Sequence, residues 1–178
     1  PVFSALFNAG VFVTRTDGVP VADVPVSANR LGRGVAERDY MVAALQHGQT
    51  TVGKPVLGKS LGTPVFSMAA PIRNPGGNVI GVVVGVVNLN APSFLNKVTD
   101  HRYGKTGDYF VASLPHRLNV TSSDKKRVMQ ALPPVGVNPP VDRFVQGYEG
   151  TLRYVGQTGF EILVSVKGIP AAHWAMVA

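Results

Sequence analysis

Residues 62–89 read GTPVFSMAAPIRNPGGNVIGVVVGVVNL, the most apolar part of the chain, broken by a tight turn. Val79–Val87 is uncharged but only nine residues long, and a spanning helix needs about 20 apolar residues. Six valines with Gly81 and Gly85 make a poor soluble helix, whereas valine and isoleucine favour strands. Pro75-Gly76-Gly77 supplies the turn. The stretch predicts two strands, 63–72 and 78–89. The second is apolar on both faces, which places it in the middle of a sheet.

Strand and turn signals extend outward from this pair. Asp17-Gly18 inside GVFVTRTDGVPVADVP predicts a hairpin. The glycine-rich connector SANRLGRGV follows. AERDYMVAALQHG predicts a short helix with Met41, Ala44 and Leu45 on one stripe and Gly48 as its stop. TTVGKPVLGKS reads as an irregular strand, and NAPSFLNKVTDHR as a helix capped near Asn90 with Pro92 in its first turn. The order then repeats. GDYFVASLPHRLNVTSS is a strand pair, and DKKRVMQAL a short helix capped by Asp124 and ended by Pro133-Pro134. GTLRYVG, FEILVSVKG and HWAMVA are three further strands. Each half reads β-β-α-β-β-β, an α+β arrangement of antiparallel sheets with short helices.

Composition sets bounds on function. With 45% hydrophobic and 15% charged residues, the 178-residue chain is globular. The net charge is +7, but the densest basic run, Lys125-Lys126-Arg127, has no interleaved aromatic residue, so no nucleic-acid partner is expected. The lack of cysteine excludes disulfides, thiolate catalysis and zinc–thiolate sites. His47, His101, His116 and His173 lack paired metal spacing, and neither a Gly-x-Ser-x-Gly elbow nor a Walker phosphate loop occurs. The expectation is a chain with no catalytic residue, no metal and no cofactor. Both ends, PVFSALFNAGVFV and HWAMVA, are apolar and read as cut inside structure, so an excised fragment is expected, and its lack of a membrane segment does not argue against a membrane protein.

FVTRTDGVPVADVP, RDYMVAAL and PVFSMAAPIRNPGGNVIGVVVGVVNL, in that order, resemble the double Cache sensor domain. GKTGDYFVAS and GFEILVSVKGIPAAHWAMVA resemble its second half. The resemblance implies two tandem PAS-like modules on the periplasmic face of a bacterial inner membrane. It implies a membrane-distal ligand-binding module at 1–90, a linker helix at 91–103 and a membrane-proximal module at 104–178. A long stem helix normally precedes the first module; it is expected to be absent here, with Pro1 to Leu6 as its end or the turn after it. The output beyond Ala178 would be a diguanylate cyclase, a histidine kinase or a chemotaxis domain. The partner implied is a small molecule, and a homodimer is an assembly this reading allows. An empty module of the same fold, serving dimerisation or spacing, is the alternative.

The amino-acid-binding subclass of that family carries Arg-x-Trp-Tyr on the module's helix and a carboxylate late in its last strand. Here Arg38 matches the arginine, Tyr40 stands at the tryptophan position and Met41 replaces the tyrosine. Asn88 stands where the carboxylate would be, and a neutral amide holds an α-ammonium group less strongly. The resemblance therefore points to a carboxylate ligand, which a guanidinium binds bidentately. Alternation puts Ile80, Val82, Val84, Val86 and Asn88 on one face, with Gly81 and Gly85 on the other. The candidate ligand-binding residues are Arg38, Tyr40, Asn88, Ser67, Arg73 and Lys59. Arg38 and Tyr40 are two apart, about 200° around a helix. They can share a pocket if Arg38 sits in the extended turn before the helix, so regular helix is expected to begin at or after Arg38, with both residues bordering the pocket near Asn88. Closure of the 28–61 connector over the sheet would then shift the population between two states.

Overall fold

The structure, a computed structural model, describes residues 6–100, 104–156 and 159–178. The chain divides into two compact units, the first ending at Phe94 and the second starting at Leu95.

In the first unit, β1 (Val11–Thr14) and β2 (Pro20–Val24) form the expected hairpin around Asp17-Gly18. Helix α1 (Asp39–Gln46) follows the connector. Two short strands, β3 (Thr51–Val52) and β4 (Val56–Leu57), precede the long pair β5 (Pro64–Arg73) and β6 (Val79–Asn88). The sheet order is β2-β1-β6-β5-β3, with β4 also on β5, and every pairing is antiparallel. The apolar run at Val79–Val87 thus sits at the centre, as its two-sided hydrophobicity requires.

Register decides which face does what. Ser67 pairs with Val86 and Ala69 with Val84, so Val65, Ser67 and Ala69 share the face of Val82, Val84 and Val86. Tyr40, Met41 and Ala44 of α1 pack there with Phe12. Met41 is fully buried, and truncation to alanine would cost about 2–5 kcal/mol. On the opposite face a Cβ at Gly85 would lie 2.4 Å from the Phe7 ring, so only glycine lets that ring reach the strand.

The second unit begins with helix α2 (Asn96–Thr99), followed by the pair β7 (Phe110–Ser113) and β8 (Leu118–Ser122). Helix α3 (Pro139–Val145) comes next, then β9 (Gly150–Val155), β10 (Glu161–Ile169) and β11 (Trp174–Val177). The sheet order is β8-β7-β11-β10-β9, again antiparallel. Counting β3 and β4 as one position, both sheets place their strands in the same order. Phe144 of α3 packs on Val164, Val166, Ala175 and Val177.

Three expectations change. The helix expected from Asn90 is confined to Asn96–Thr99. Pro92 has no N–H to donate, and the carbonyls of Ala91 and Pro92 accept from the Asn8 side chain instead of continuing a helix. The remainder of the expected linker helix, 101–103 with His101, lies outside the described residues, as do 1–5 of the expected stem end. DKKRVMQAL forms one 3-10 turn, Lys125–Arg127, capped by Asp124 as expected. Its continuation is pulled back to the sheet, where Met129 N–H donates to the Asn119 carbonyl and Asn119 N–H to that of Gln130. Finally, α3 falls where the sequence reading placed no element. Its signals are an Asn138 cap, whose Oδ1 accepts the Val141 N–H at 3.3 Å, and Pro139 at the first helical position.

Candidate ligand-binding site

A cavity of about 190 Å³ lies between the α1 face of the first sheet and the connector that crosses it. Phe12, Val65, Ser67 and Val86 form its floor, while Arg30, Arg33, Val35, Arg38 and Tyr40 come from the connector and α1. Val56, Lys59, Ser60 and Leu61 come from the segment around β4.

Arg38 precedes α1 with extended backbone, φ −71° and ψ 141°, and regular helix begins at Asp39. That extension lets Arg38 and Tyr40 border the same cavity despite their spacing. Asp39 fixes the arrangement. Its Oδ1 accepts the Tyr40 N–H at 2.8 Å and its Oδ2 accepts the Lys54 N–H at 2.7 Å, tying the helix start to the loop after β3. Tyr40 is buried, and burial pushes its phenol above the usual range, partly offset by a hydrogen bond with Ser67 and by the charge of Arg38.

Of the six candidates, Arg38, Tyr40, Ser67 and Lys59 meet around this cavity; Arg73 and Asn88 do not line it. Arg73 donates to the Gly77 carbonyl at 2.7 Å and the Gly48 carbonyl at 2.9 Å, stitching the β5–β6 turn to the end of α1. Asn88 sits past the cavity at the end of β6, and its Oδ1 accepts the Asn90 N–H at 2.9 Å, a local turn. Its amide therefore serves the chain's exit from the sheet.

Sequence reasoning missed Arg30 and Arg33. Arg30 is buried, its Nη1 2.6 Å from the fully buried Asp23 carboxylate. Its other nitrogen donates to the Ala9 carbonyl, and its guanidinium lies 5.5 Å from the Phe12 ring centroid. Two arginines in a glycine-rich connector were the available signal. Electrostatically the cavity is one-sided: four cations line it, Arg30, Arg33, Arg38 and Lys59, and none of its lining residues is acidic. Asp23 neutralises Arg30, and Glu37, outside the lining, pairs with Lys59 and lies 4.0 Å from Arg38.

A larger groove of about 660 Å³ on the opposite sheet face is walled by Phe7, Val11, Val13, Val24 and Val83. Its one acidic side chain, Asp23, is already consumed by Arg30. A groove of about 480 Å³ in the second unit includes Arg117, which is bound to Asp142 at 2.9 Å. Among the described residues no group of three or more His, Asp or Glu side chains could hold a metal ion. No helix among them is long and apolar enough to cross a membrane.

No protein-family model matches the chain, and no curated protein matches it. Solved structures do. The ligand-binding domain of the Pseudomonas aeruginosa amino acid chemoreceptor PctB, in complex with L-Gln, superposes with a TM-score of 0.72 at 23% identity, covering 99% of this chain and 69% of that one. The sensor domain of the V. cholerae histidine kinase DctB gives 0.62 at 18%, covering 95% and 70%. An extracellular ligand binding receptor from Desulfohalobium retbaense gives 0.70 at 10%; the match covers 94% of this chain but only 29% of that receptor. The chain has the mainly antiparallel fold of these Cache-type extracellular sensor domains.

Proposed function

We propose that the chain is a double Cache sensing module, extracytoplasmic and part of a transmembrane signalling receptor, that binds a small carboxylate in the cavity of its first unit. The observation that carries the ligand class is the charge of that cavity. Guanidinium groups enter its wall, Tyr40 and Ser67 add neutral hydrogen-bonding groups, and no lining residue supplies a carboxylate to pair with an ammonium group. Two sheets of identical strand order support the tandem reading, with residues 1–90 as the membrane-distal module and 104–178 as the proximal one. The periplasmic location, the membrane anchor, a homodimer and the cyclase, kinase or chemotaxis output follow from the same reading. The domain itself has no catalytic role. Ligand binding would favour the closed arrangement of the connector over the sheet, by the difference in affinity for the two states.

A thermal-shift screen of carboxylates, amino acids and amines tests this. Carboxylates are expected to raise the melting temperature, and Arg38→Ala to weaken them by about 1.5–3 kcal/mol with little change in the unliganded protein. If no compound shifts the melting temperature, the module is one of the same fold with an empty pocket.

A further inference from the structure

We infer that Arg33 is a second anion anchor that makes this cavity selective for ligands with two separated negative groups, short dicarboxylates, over monoanions. The inference rests on the carboxylate reading above and extends it to a residue outside the Arg38–Tyr40 motif.

Charge balance carries the first step. Of the four cations on the cavity wall, Arg30 is matched by Asp23 and Lys59 by Glu37. Arg38 has only the edge of Glu37, 4.0 Å away, and the Arg33 guanidinium has no hydrogen-bond or ion-pair partner among the described residues, its backbone N–H alone donating to the Arg30 carbonyl at 3.0 Å. Two guanidinium groups are thus left for a ligand with no carboxylate lining the wall. A monoanion satisfies one; two charges on one ligand satisfy both, and the apolar wall of Phe12, Val35, Leu61 and Val86 suits a methylene spacer between them.

Backbone placement carries the second step. The loop bearing Arg33 is pinned on both sides. Arg30 N–H donates to Asp23 at 3.0 Å, Gly32 N–H to the Pro20 carbonyl at 3.3 Å and Val35 N–H to the Gly18 carbonyl at 3.1 Å. Yet nothing lies within 4 Å of where a Cβ on Gly32 or Gly34 would stand. The backbone is held in register while the tip has room, so the Arg33 side chain can swing onto a bound ligand without unfolding the connector.

Calorimetry on the 178-residue chain with succinate, glutarate, butyrate and sulfate tests the inference. The dicarboxylates are expected to bind at least about tenfold tighter than butyrate, and Arg33→Gln to weaken them about ten- to a hundredfold, the scale of one charged hydrogen-bonding group. Butyrate binding should hold through that substitution, and Arg33→Lys should recover part of the preference. Equal affinity for butyrate and succinate overturns the inference and leaves the carboxylate reading standing. So does an unchanged dicarboxylate preference in Arg33→Gln, with or without a lower melting temperature of the unliganded variant. Sulfate binding as tightly as succinate shows that compact charge alone is read and overturns it as well. If none of the four binds, both readings fall.

Discussion

The Asn8 side chain grips Asn88 from both sides: its Oδ1 accepts the Asn88 N–H at 2.7 Å and its Nδ2 donates to the Asn88 carbonyl at 3.1 Å. The same Nδ2 lies 3.3 Å from the Ala91 carbonyl and 2.9 Å from that of Pro92. One amide thus joins the entry into β1 to the exit from β6. Ala9, the next residue, accepts from Arg30, so the clasp and the anchor of a cavity-wall arginine are adjacent in the chain.

Asn8→Ala should destabilise the chain by about 1–3 kcal/mol, because it orphans the half-buried Asn88 N–H. Denaturant midpoints check the loss; an Asn8→Ala variant as stable as the native chain would contradict the clasp's role.

What the sequence made legible was local. The β-branched run at Val79–Val87 and the Asp17-Gly18 turn each encode their structure within a few residues. A helix start at or after Arg38 followed from requiring Arg38 and Tyr40 to share a pocket, and the helix begins at Asp39. What stayed hidden depends on distant partners. Asn88 looks ligand-facing until its Oδ1 takes the Asn90 N–H, while Asn8, 80 positions away, holds its backbone. The path of the arginine-bearing connector is set by a buried carboxylate on β2 that no periodicity marks as paired. Helix α3 opens on Pro139-Pro140, residues that read as breakers yet fit a first turn, where no N–H is needed.

Asp23 and Arg30 form a buried pair with side chains 0% and 8% exposed. Removing one partner leaves an uncompensated charge, so Asp23→Ala should cost about 3–5 kcal/mol. Replacing both, Asp23→Leu with Arg30→Met, should recover much of that loss. Urea unfolding of the single and double variants measures the difference; full additivity of the two single losses would show that the pair is not coupled.

Tyr40 carries a pH signature. Burial raises its pKa above the ordinary 10.0. Below pH 10.0 the phenol is protonated folded and unfolded, so its contribution is constant and fully present. Above that value the unfolded state sheds its proton first, and stability declines as pH rises toward the folded value. The stability of the native chain minus that of Tyr40→Phe should therefore be flat up to pH 10.0 and fall beyond it. A difference that changes between pH 6 and 9 would refute this origin.

Glu37 is the carboxylate that tempers the cavity from outside. It pairs with Lys59 and approaches Arg38, and its side chain is 57% exposed. Its hydrogen bond from Lys59, followed by its own backbone N–H, holds the carboxyl below the usual range, so it stays charged through neutral and mildly acidic pH. Glu37→Gln should strengthen anion binding by up to about fivefold, the scale of an exposed ion pair. The gain should shrink as salt screens it. With a sulfonate, whose own charge does not titrate in this range, native affinity should rise only at the acid end, as Glu37 protonates through its lowered pKa. The Glu37→Gln variant should show no such rise. Weaker sulfonate binding in Glu37→Gln would mean that Glu37 acts chiefly by positioning Lys59 and Arg38, not by repelling the ligand.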